Sequence, residues 1–369
     1  MARIGIDVHQ VGLRQTGNET YIRSLLEEFA LMCPSDLEFI CFTTKAAHEL
    51  PSVRWPGPVK RVRPHTPLVR IPISLPLELF RGKADVAHFQ YVAPPICPCP
   101  TVVTVHDISY ELFPEFFHPI ERKRMQFLIP FSMRRATYIL TVSEFSKQSI
   151  VETYGLSPER ILVTYNGVSS VFRPLEKSSI PLERLERFYI RPPFILGVGN
   201  LQPRKNLVRL LHAYASLRTR RSPPHRLVLV GQSAWQGHRV REEIDRLGLA
   251  DWVVLPGYLS NEDLVALYNL ADVFVYPSLY EGFGLPVVEA MACGTPVITS
   301  HVSSLPEVAG DAVLFVDPLS EREIFMAMEQ LIDDPDLRIR LRIAGIARAR
   351  KFSWRITAEQ TIEAYRRCL

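Results

Sequence analysis

The segment Phe194-Ile-Leu-Gly-Val-Gly-Asn-Leu-Gln-Pro-Arg-Lys-Asn206 places a short apolar run, a loop and the start of a helical pattern in direct succession. The apolar run that ends at Val198 predicts a buried strand, and the amphipathic pattern that begins at Leu207 predicts a helix. A strand, a loop and a helix in this order form the repeating unit of a parallel sheet covered by helices. The segment therefore predicts an α/β fold.

The same alternation continues on both sides of this segment. Short apolar runs predict strands at Ile4–Asp7, Glu38–Phe42, Val59–Val62, Asp85–His88, Thr101–Val105, Tyr138–Val142, Ile161–Tyr165, Phe194–Val198, Leu227–Val230, Trp252–Leu255, Val273–Tyr276, Pro296–Thr299 and Val313–Val316. The alternation stops between Pro174 and Pro193, where charged residues and prolines predict a linker.

We therefore expect two α/β domains, over residues 1–175 and 190–352, and a helix over residues 353–369 that packs on either domain. Two domains also agree with a length of 369 residues, which exceeds what one core usually organises. Open parallel sheets bind ligands beyond the carboxyl ends of their strands. The chemistry is therefore expected in the loops after strands, at a crevice between the domains.

Composition excludes several classes of protein. With 47% apolar and 22% charged residues, the chain has the composition of a globular protein. The net charge of +4 is far from the dense positive clustering of nucleic-acid-binding proteins, so no nucleic-acid partner is expected. Met1-Ala-Arg3 leads directly into the first strand without a signal-peptide pattern, and no apolar run reaches membrane-spanning length. These features predict a cytoplasmic protein, with any membrane contact peripheral and at the inner face of the cell membrane.

The six cysteines are scattered along the chain, which argues against a disulfide framework. Cys97-Pro-Cys99 is the one close pair. It lacks a second pair or histidines at metal-ligand spacing, so we interpret it as part of a turn in a proline-rich loop. The sequence predicts no metal site.

The loop after the strand at 194–198 suits a phosphate group. Gly197 and Gly199 allow the backbone to approach a ligand closely, and Asn206 is placed to cap the following helix. Arg204 and Lys205 put two cations beside the positive end of that helix. Arginine offers a bidentate fork and lysine a point charge, a pair that neutralises a diphosphate.

A second group of candidate residues lies in Tyr280-Glu-Gly-Phe-Gly-Leu-Pro-Val-Val-Glu-Ala-Met291, after the strand that ends at Tyr276. The backbone amides near Gly284 and Leu285 predict an anion site at a helix N-terminus. Glu281 lies just before this helix and Glu289 about one turn inside it. Both carboxylates are able to accept hydrogen bonds from hydroxyl groups in the same crevice.

These residues carry a family resemblance. The two glutamates separated by seven residues in Glu281-Gly-Phe-Gly-Leu-Pro-Val-Val-Glu-Ala-Met-Ala-Cys-Gly-Thr-Pro296, together with the segment 199–206, resemble the family-four, or group 1, retaining glycosyltransferases. The match extends over nearly the whole chain. It implies the GT-B fold, with two facing Rossmann-like domains, and an EC 2.4 hexosyltransferase that moves a sugar from a nucleotide-sugar donor with retention of configuration.

The resemblance also implies roles for individual residues. Arg204 and Lys205 would bind the diphosphate, and Glu281 the hydroxyl groups of the donor sugar. Glu289 would hold the ribose. The segment Pro256-Gly-Tyr258 is similar to the family segment whose backbone contacts the nucleobase. The donor-binding candidates are therefore Gly199, Asn200, Gly257, Tyr258, Gly282, Phe283, Gly284, Leu285 and Glu289.

The first domain supplies further candidates. Thr104-Val-His-Asp107 ends a buried strand and places His106 and Asp107 at the mouth of the crevice; by resemblance His106 contacts the donor sugar, and a structural role remains the alternative. Gly17 and Asn18 open the first helix and resemble the family's glycine-rich loop, which has consecutive glycines in many relatives. Other segments mark the fold, with Ser143 as a helix N-cap and Asn166-Gly167 as a tight turn.

Glu121-Arg-Lys-Arg-Met-Gln-Phe-Leu-Ile-Pro-Phe-Ser-Met-Arg-Arg135 mixes cations and aromatic side chains at partly helical spacing. Pro130 is expected to interrupt the helix. The segment is a candidate for contact with lipid head groups or a lipid acceptor, and a solvated basic face is the alternative.

The residues predict a mechanism that needs no cofactor and no metal. Arg204, Lys205 and the helix end near Gly284 would absorb the charge of the leaving diphosphate. A metal-dependent enzyme would require Asp-x-Asp after a strand, and Asp334-Pro-Asp336 lies between two helical segments instead. By resemblance the leaving phosphate itself takes the proton of the acceptor, so no protein nucleophile is expected.

The segment from His106 to Pro114 resembles bacterial mannosyltransferases that build surface polysaccharide. It makes GDP-mannose the first expected donor and UDP-glucose the second, with a saccharide or lipid-linked acceptor. Two alternatives stay open: a nucleotide-sugar 2-epimerase of the same fold, and a non-catalytic nucleotide-sugar binding protein. The oligomeric state is not predicted.

Overall fold

Two parallel β-sheets organise the chain. The computed structural model describes residues 1–13, 16–51, 53–234 and 236–369, without the side chains of Thr16 and Ala47. Contacts divide the chain into a first unit and a second unit. The first unit comprises residues 1–112, 119–167 and 353–369, and the second unit comprises residues 113–118 and 168–352.

The first unit contains a seven-stranded parallel sheet in the order β3-β2-β1-β4-β5-β6-β7. Its strands are β1 (Ala2–Asp7), β2 (Leu37–Thr43), β3 (Val59–Arg61), β4 (Val86–Gln90), β5 (Thr101–Thr104), β6 (Tyr138–Thr141) and β7 (Ile161–Val163). Each run that was predicted as a strand in this part of the sequence forms one. The strand order reverses next to β1, which creates a topological switch point between β1 and β4.

Along the chain, α-helices lie between the strands of this sheet. They are α1 (Thr16–Met32), α2 (Pro67–Val69), α3 (Leu75–Arg81), α4 (Ser109–Leu112), α5 (Pro119–Arg135) and α6 (Glu144–Tyr154), and a π-helical turn over Arg70–Ser74 joins α2 to α3. Ser143 caps α6 as expected, since its side chain accepts a hydrogen bond from the amide of Ser146.

The prediction that Pro130 interrupts its helix is wrong, because α5 continues through it. Pro130 is buried beside Ile129, with Met133 one turn further on. Burial of this helix face compensates for the hydrogen bond that the proline cannot donate.

The second unit contains a six-stranded parallel sheet in the order β10-β9-β8-β11-β12-β13. Its strands are β8 (Phe194–Val198), β9 (Arg226–Val230), β10 (Val253–Gly257), β11 (Val273–Tyr276), β12 (Val297–Ser300) and β13 (Leu314–Val316). The central pair is β8 and β11, so the loops after these two strands lie side by side at the carboxyl edge of the sheet.

Helices cover this second sheet. They are α7 (Glu183–Glu186), α8 (Leu207–Arg221), α9 (His238–Arg246), α10 (Asn261–Leu270), α11 (Leu285–Cys293), α12 (Leu305–Ala309), α13 (Glu321–Asp333) and α14 (Pro335–Ala349). The core between sheet and helices is apolar, with Leu210, Leu211 and Tyr214 of α8 fully buried. The predicted linker forms only short helical turns, and Arg187 within it contacts both carboxylate oxygens of Asp263 at 2.7 Å.

The C-terminal helix, α15 (Trp354–Arg366), belongs to the first unit. Its Tyr365 hydroxyl lies 2.6 Å from Nδ1 of the buried His88. The backbone of Trp354 passes so close to Gly167 that a Cβ there would lie 2.0 Å from the Trp354 nitrogen. The prediction of a tight turn at Asn166-Gly167 is therefore wrong, because no turn forms and the glycine allows this close approach instead.

The cysteines are all thiols, with the sulfur atoms of Cys97 and Cys99 3.9 Å apart. Over the described ranges, none of the helices combines the length and the apolar character that crossing a lipid bilayer requires.

Candidate functional site

Four side chains of the second unit form a buried polar cluster, which we call the Glu281 cluster: Glu281, Arg204, Lys205 and Tyr276. One carboxylate oxygen of Glu281 accepts a hydrogen bond from Arg204 Nη1 at 2.6 Å. The other accepts from Lys205 Nζ at 2.6 Å and from the Tyr276 hydroxyl at 2.9 Å. Lys205 Nζ also contacts the Tyr276 hydroxyl. The structure thus brings the adjacent residues Arg204 and Lys205 together with Glu281, which lies far from them in the sequence, and all three were predicted as site residues.

Local backbone contacts fix this cluster. Arg204 and Lys205 lie in the 3-10 turn Pro203–Lys205, in the loop that follows β8. The carbonyl of Arg204 accepts from the amide of Leu279, and its Nη1 donates to the carbonyl of Tyr280 at 2.8 Å. These bonds tie the loop after β8 to the loop after β11.

The backbone of Glu281 is held from the other side by two serines. Its amide donates to the Ser303 hydroxyl, and its carbonyl accepts from the Ser304 hydroxyl at 2.9 Å. Glu281 therefore has little freedom in either its main chain or its carboxylate.

The electrostatics of the cluster favour an anion. Burial opposes ionisation of Glu281, but the charges of Arg204 and Lys205 outweigh burial and lower its pKa to about 2. Two cations and one carboxylate leave a net charge of about +1 at this edge of the sheet. Glu281 holds both cations in place, and this charge suits a phosphate group better than a neutral hydroxyl alone.

Asn206 does not cap α8 with its side chain, which corrects the prediction. The residue has a left-handed backbone, with φ of 58°. Its side-chain amide nitrogen donates to the carbonyls of Pro277 and Pro318, at 3.0 and 2.6 Å. These bonds attach the loop after β8 to the loops after β11 and β13.

Glycines make room for the cluster. A Cβ at Gly199, where φ is +150°, would lie 3.1 Å from Cε of Lys205. Gly231, at the end of β9, was not predicted: a Cβ there would lie 2.1 Å from the carbonyl oxygen of Gly199. In the sequence, the feature that pointed to Gly231 was its position directly after a predicted strand. Beside these glycines, a pocket at the carboxyl ends of β8 and β11 is lined by Gly199, Lys205 and Tyr276 among others.

The helix after Glu281 begins as expected. Gly284 precedes α11 with φ of +92°, and no side chain caps this helix start. A Cβ at Gly284 would lie 2.7 Å from Cδ2 of Leu305, a side-chain atom that is able to shift, so the left-handed backbone is the main reason for glycine there. Leu285 opens the helix, where the first-turn amides suit an anion. Phe283 is buried, with its ring edge-on to Phe352 at 5.4 Å.

Glu289 forms a hydrogen bond outside the Glu281 cluster. Its Oε2 accepts from the hydroxyl of Tyr268 at 3.0 Å, and Tyr268 is fully buried. Burial raises the pKa of Glu289 to about 7, which the Tyr268 hydrogen bond only partly offsets. The rings of Tyr268, Phe274 and Tyr276 follow one another at centroid distances of 5.5 and 5.9 Å. This aromatic row connects the partners of the two glutamates.

Four other predicted residues of the second unit lie outside the Glu281 cluster. Gly257 has φ of +80° with open space at its missing Cβ, and Tyr258 beside it is 52% exposed. Among the described residues, the buried Oδ1 of Asn200 has no hydrogen-bond partner. Gly282 follows Glu281 in the same buried loop.

His106 belongs to the first unit, where it is buried after β5. Its Nε2 lies 3.0 Å from Oε1 of Gln90, and the ring of Tyr21 packs edge-on at 4.7 Å. Burial lowers the pKa of His106 to about 4, so the ring is neutral near pH 7. Gln90 was not predicted as a partner; in the tautomer that carries its proton on Nε2, His106 donates to Gln90 and its Nδ1 is an acceptor.

The remaining candidates of the first unit have simple local roles. Asp107 accepts hydrogen bonds from the amide and the hydroxyl of Ser109, at 2.8 and 2.5 Å, at the start of α4. Gly17 and Asn18 lie in the first turn of α1, and a Cβ at Gly17 would meet nothing within 4 Å. A residue with a side chain would therefore fit at position 17 without a steric clash at its Cβ.

Asp334 caps α14 by accepting a hydrogen bond from the amide of Leu337 at 2.8 Å, which places Asp334-Pro-Asp336 between helices as expected. In the ranges that the structure describes, no three or more His, Cys, Asp or Glu side chains are grouped so as to hold a metal ion.

Comparison with known proteins identifies the family. Residues 184–348 match the model for glycosyl transferases group 1, and residues 16–171 match that for glycosyltransferase family 4. The O-antigen chain mannosyltransferase B of Escherichia coli is 39% identical over 267 residues, which cover 72% of this chain and 70% of the relative. The chain belongs to the group 1, family-four glycosyltransferases, and it is a transferase of the GT-B class.

Other relatives agree with this placement. The serotype-specific mannosyltransferase WbdA of Escherichia coli is 31% identical over 79% of this chain, and the match spans 36% of WbdA. Among solved structures, sucrose-phosphate synthase from Thermosynechococcus elongatus superposes with a TM-score of 0.80 at 21% identity, over 100% of this chain and 99% of that one. Anabaena Alr3699/HepE in complex with UDP and glucose gives a TM-score of 0.78 at 20% identity, over 99% of both chains. These likenesses show the fold.

Proposed function

We propose that the protein is a metal-independent, retaining mannosyltransferase that uses GDP-mannose as donor and a saccharide or lipid-linked saccharide as acceptor. The observation that carries the proposal is the buried contact of Glu281 with Arg204 and Lys205 at the carboxyl ends of β8 and β11. This arrangement keeps two cations at the edge of the sheet where parallel folds bind ligands.

Stabilisation of the leaving group follows from this arrangement. As the bond between the sugar and the diphosphate breaks, negative charge accumulates on the phosphate oxygens. Arg204 and Lys205 are already in place to receive it, so little reorganisation is needed during the reaction. In this proposal Glu281 fixes the cations and supplies its remaining lone pairs to a donor hydroxyl. The fixed charges would take the place of a divalent ion.

The relatives support mannose as the transferred sugar. Both the O-antigen chain mannosyltransferase B and WbdA bear the name of mannosyltransferases. Glu289 is placed near the aromatic row, and as a carboxylate it would accept hydrogen bonds from the ribose. UDP-glucose is the second donor to test.

Peripheral membrane contact through α5 belongs to the same proposal. The side chains of Ile120, Phe127 and Phe131 are exposed on α5, and Arg135 packs over the ring of Phe131. A lipid-linked acceptor would require the protein to work at a membrane surface.

A transfer assay tests the proposed activity. The protein is incubated with GDP-mannose, or UDP-glucose in parallel, and with mannose-terminated or polyprenyl-diphosphate-linked saccharides in the presence of a chelator. We expect a mannosylated product by mass spectrometry, and an NMR spectrum in which the new bond has the anomeric configuration of the donor. Failure with every donor, or activity that requires magnesium, would contradict the proposal.

Variants connect the activity to the site. Arg204→Ala and Glu281→Ala are expected to reduce transfer by at least about a hundredfold, since each removes a charged group next to the leaving phosphate. Arg322→Ala, on the exposed face of α13, is the matched control and should remain fully active. Incubation with GDP-mannose alone separates a transferase from an epimerase, which would produce an epimerised nucleotide sugar.

A further inference from the structure

Two thiols of the first unit lie close together, in a part of the chain that the proposed reaction does not use. The sulfur atoms of Cys97 and Cys99 are 3.9 Å apart, and Pro98 separates the two residues in the sequence. We call Cys97 and Cys99 the thiol pair. Both side chains are partly buried, whereas Pro98 and the neighbouring Ile96 are exposed. The thiol pair is therefore accessible to small molecules.

The thiol pair belongs to the segment 91–100, which joins β4 to β5. These two strands are parallel neighbours, so the segment returns from the carboxyl end of β4 to the amino end of β5. All of its residues are described, and none lies in a helix. Cys99 comes two residues before Thr101, which begins β5, so the thiol pair lies towards the amino edge of the sheet. His106 follows the carboxyl end of β5, at the opposite edge.

Prolines and anchored ends restrict this segment. Four of its residues have a fixed φ, namely Pro94, Pro95, Pro98 and Pro100. At one end the amide of Tyr91 donates to the carbonyl of Thr104 at 2.8 Å. At the other end the carbonyl of Pro100 accepts from the amide of Ala87 at 3.0 Å. Because the segment explores few conformations, the two sulfur atoms stay near each other.

The contact between the sulfur atoms gives the two thiols different reactivity. A hydrogen bond from the Cys99 thiol lowers the pKa of Cys97 and so favours its thiolate. The same bond, together with burial, raises the pKa of Cys99. Since the thiolate is the nucleophilic form of cysteine, Cys97 is the attacking group of the pair and Cys99 reacts after it.

The surroundings of the thiol pair do not complete a metal site. Structural metal sites for thiolates take four ligands, usually cysteine or histidine side chains. Asp85 and Cys368 lie near enough to contribute to the raised pKa of Cys99. Across the described part of the chain, however, no three His, Cys, Asp or Glu side chains are grouped so as to hold a metal ion. Two adjacent thiols without further ligands are suited to two-electron oxidation instead.

We propose that the thiol pair is a redox-active site, which low-molecular-weight disulfides oxidise to a disulfide between Cys97 and Cys99. The Cys97 thiolate attacks one sulfur of the oxidant, forms a mixed disulfide and releases a thiolate that takes up a proton. Cys99 then loses its proton to solvent, attacks the sulfur of Cys97 and releases the second half of the oxidant as a thiol. Two protein thiols and one small disulfide thus give one protein disulfide and two small thiols, and two electrons pass from the protein to the oxidant.

Only a small movement is needed to form the new bond. An S–S bond is about 2 Å long, so each sulfur moves by about 1 Å from the observed separation of 3.9 Å. Exposed disulfides are the ones that small thiols reduce most easily. A partly exposed bridge in the segment 91–100 is therefore suited to reversible oxidation rather than to permanent stabilisation of the fold.

Oxidation with glutathione disulfide tests the proposal. Wild-type protein is incubated with buffers of graded glutathione and glutathione disulfide, the free thiols are alkylated, and the peptides are mapped by mass spectrometry. We expect a peptide in which Cys97 and Cys99 are not alkylated and which is lighter by two hydrogen atoms, and its reversal by a reducing agent. A pair that stays alkylated in excess glutathione disulfide, or a disulfide from Cys99 to Cys368 instead, would overturn the inference.

Single variants separate the roles of the two thiols. Cys99→Ser should stop at a mixed disulfide between Cys97 and glutathione, because the second attack is lost. Cys97→Ser should react with glutathione disulfide at least about fivefold more slowly than Cys99→Ser, since burial keeps the remaining thiol protonated. Equal rates in the two variants would contradict Cys97 as the attacking group.

The matched control replaces a thiol outside the pair. Cys33 is exposed and follows α1, so Cys33→Ser should leave the rate of disulfide formation within about twofold of wild type. If Cys33→Ser removes the disulfide as completely as Cys97→Ser does, the assignment to the thiol pair is wrong.

The donor serves as a probe of folding and keeps the two proposals apart. All three variants should show the same thermal stabilisation by GDP-mannose as wild type, because the Glu281 cluster lies in the second unit. A wild-type protein that forms the disulfide but binds no nucleotide sugar would contradict the proposed function and support the redox-active site. A Cys99→Ser variant that loses its stabilisation by GDP-mannose would contradict the assignment of the thiol pair to redox chemistry alone.

Discussion

At the scale of single residues, Glu281 shows how a buried carboxylate fixes the charge of a site. It is nearly inaccessible to solvent, yet it stays ionised because Arg204 and Lys205 contact its two oxygens. Removing one member of such a group leaves a buried charge without its partner. The three charges therefore depend on one another for stability as well as for the proposed binding of the diphosphate.

Acid unfolding provides a test of this dependence. The pKa of Glu281 is about 2 in the folded protein against an ordinary 4.5, so its contribution to stability is present above pH 4.5 and is lost as the pH falls towards 2. The shift corresponds to about 3 kcal/mol. Glu281→Gln should lower the free energy of unfolding at pH 7 by about 3 kcal/mol and remove this part of the pH dependence. Urea titrations at several pH values measure both effects. If Glu281→Gln leaves the free energy of unfolding and its pH dependence unchanged, the stabilising role of the ion pairs is contradicted.

Glu289 is expected to respond to pH in the opposite direction. Its folded pKa, about 7, lies above the ordinary 4.5, so the carboxyl favours its protonated form and its contribution to stability falls as the pH rises from 4.5 through 7. The ionised form is the better acceptor for ribose hydroxyls. Donor affinity should therefore increase through pH 7, and Glu289→Gln should abolish the increase. Calorimetric titration with GDP-mannose between pH 6 and 8 measures this; a wild-type affinity that is independent of pH would contradict it.

At the scale of secondary structure elements, Gly231 couples the end of β9 to the loop after β8. Alanine at this position would place a Cβ 2.1 Å from the carbonyl of Gly199 at a φ of +154°. We expect Gly231→Ala to lower the free energy of unfolding by at least about 2 kcal/mol and to weaken donor binding, because the loop must move away from Lys205.

Gly17→Ala is the control for this substitution. Gly17 lies in the first turn of α1 with open space around it, so alanine should leave stability unchanged or raise it by about 0.5 kcal/mol. Thermal denaturation of both variants gives the comparison. Equal effects at the two positions would contradict the steric account of Gly231.

The C-terminal helix is the second element with a testable role. Tyr365 of α15 is fully buried and its hydroxyl contacts His88, whose Nε2 in turn lies 2.7 Å from the hydroxyl of Thr104. Tyr365→Phe leaves one group of this buried chain unsatisfied, and we expect a loss of about 1–2 kcal/mol in the free energy of unfolding. Ile356→Ser, on the exposed side of α15, is the control and should change stability little. Loss of equal size in the control would contradict the role of the hydrogen bond.

Element positions were well predicted because short apolar runs in a parallel sheet are buried on both faces and stand out in the sequence. The errors concern residues whose role depends on distant partners. Asn206 was expected to cap the helix that follows it, but its side-chain amide donates to the carbonyls of Pro277 and Pro318 instead. Gly167 was expected in a turn, but its surroundings are set by Trp354, far along the chain. Local patterns contain no information on such contacts.

At the scale of the whole molecule, the strand order of the second sheet explains why the position of the Glu281 cluster was predictable and why some of its contacts were not. Because β8 and β11 are neighbours, the loops that follow them meet, and the sequence already assigned Arg204, Lys205 and Glu281 to those loops. Tyr276 was missed although it ends a predicted strand, because an aromatic residue in a strand is typical of a core position. The aromatic row and the neutral state of His106 depend on burial, which only the three-dimensional structure provides.

The central claim is that two cations held by Glu281 bind the diphosphate of the donor without a metal ion. Calorimetric titration of wild type and Lys205→Met with GDP, in the presence of a chelator, tests it most directly. We predict that GDP binds wild type under these conditions and that the variant binds about a hundredfold more weakly, with a smaller loss for GMP, which lacks the second phosphate. Binding that appears only with magnesium, or equal GDP affinity in both proteins, would contradict the account.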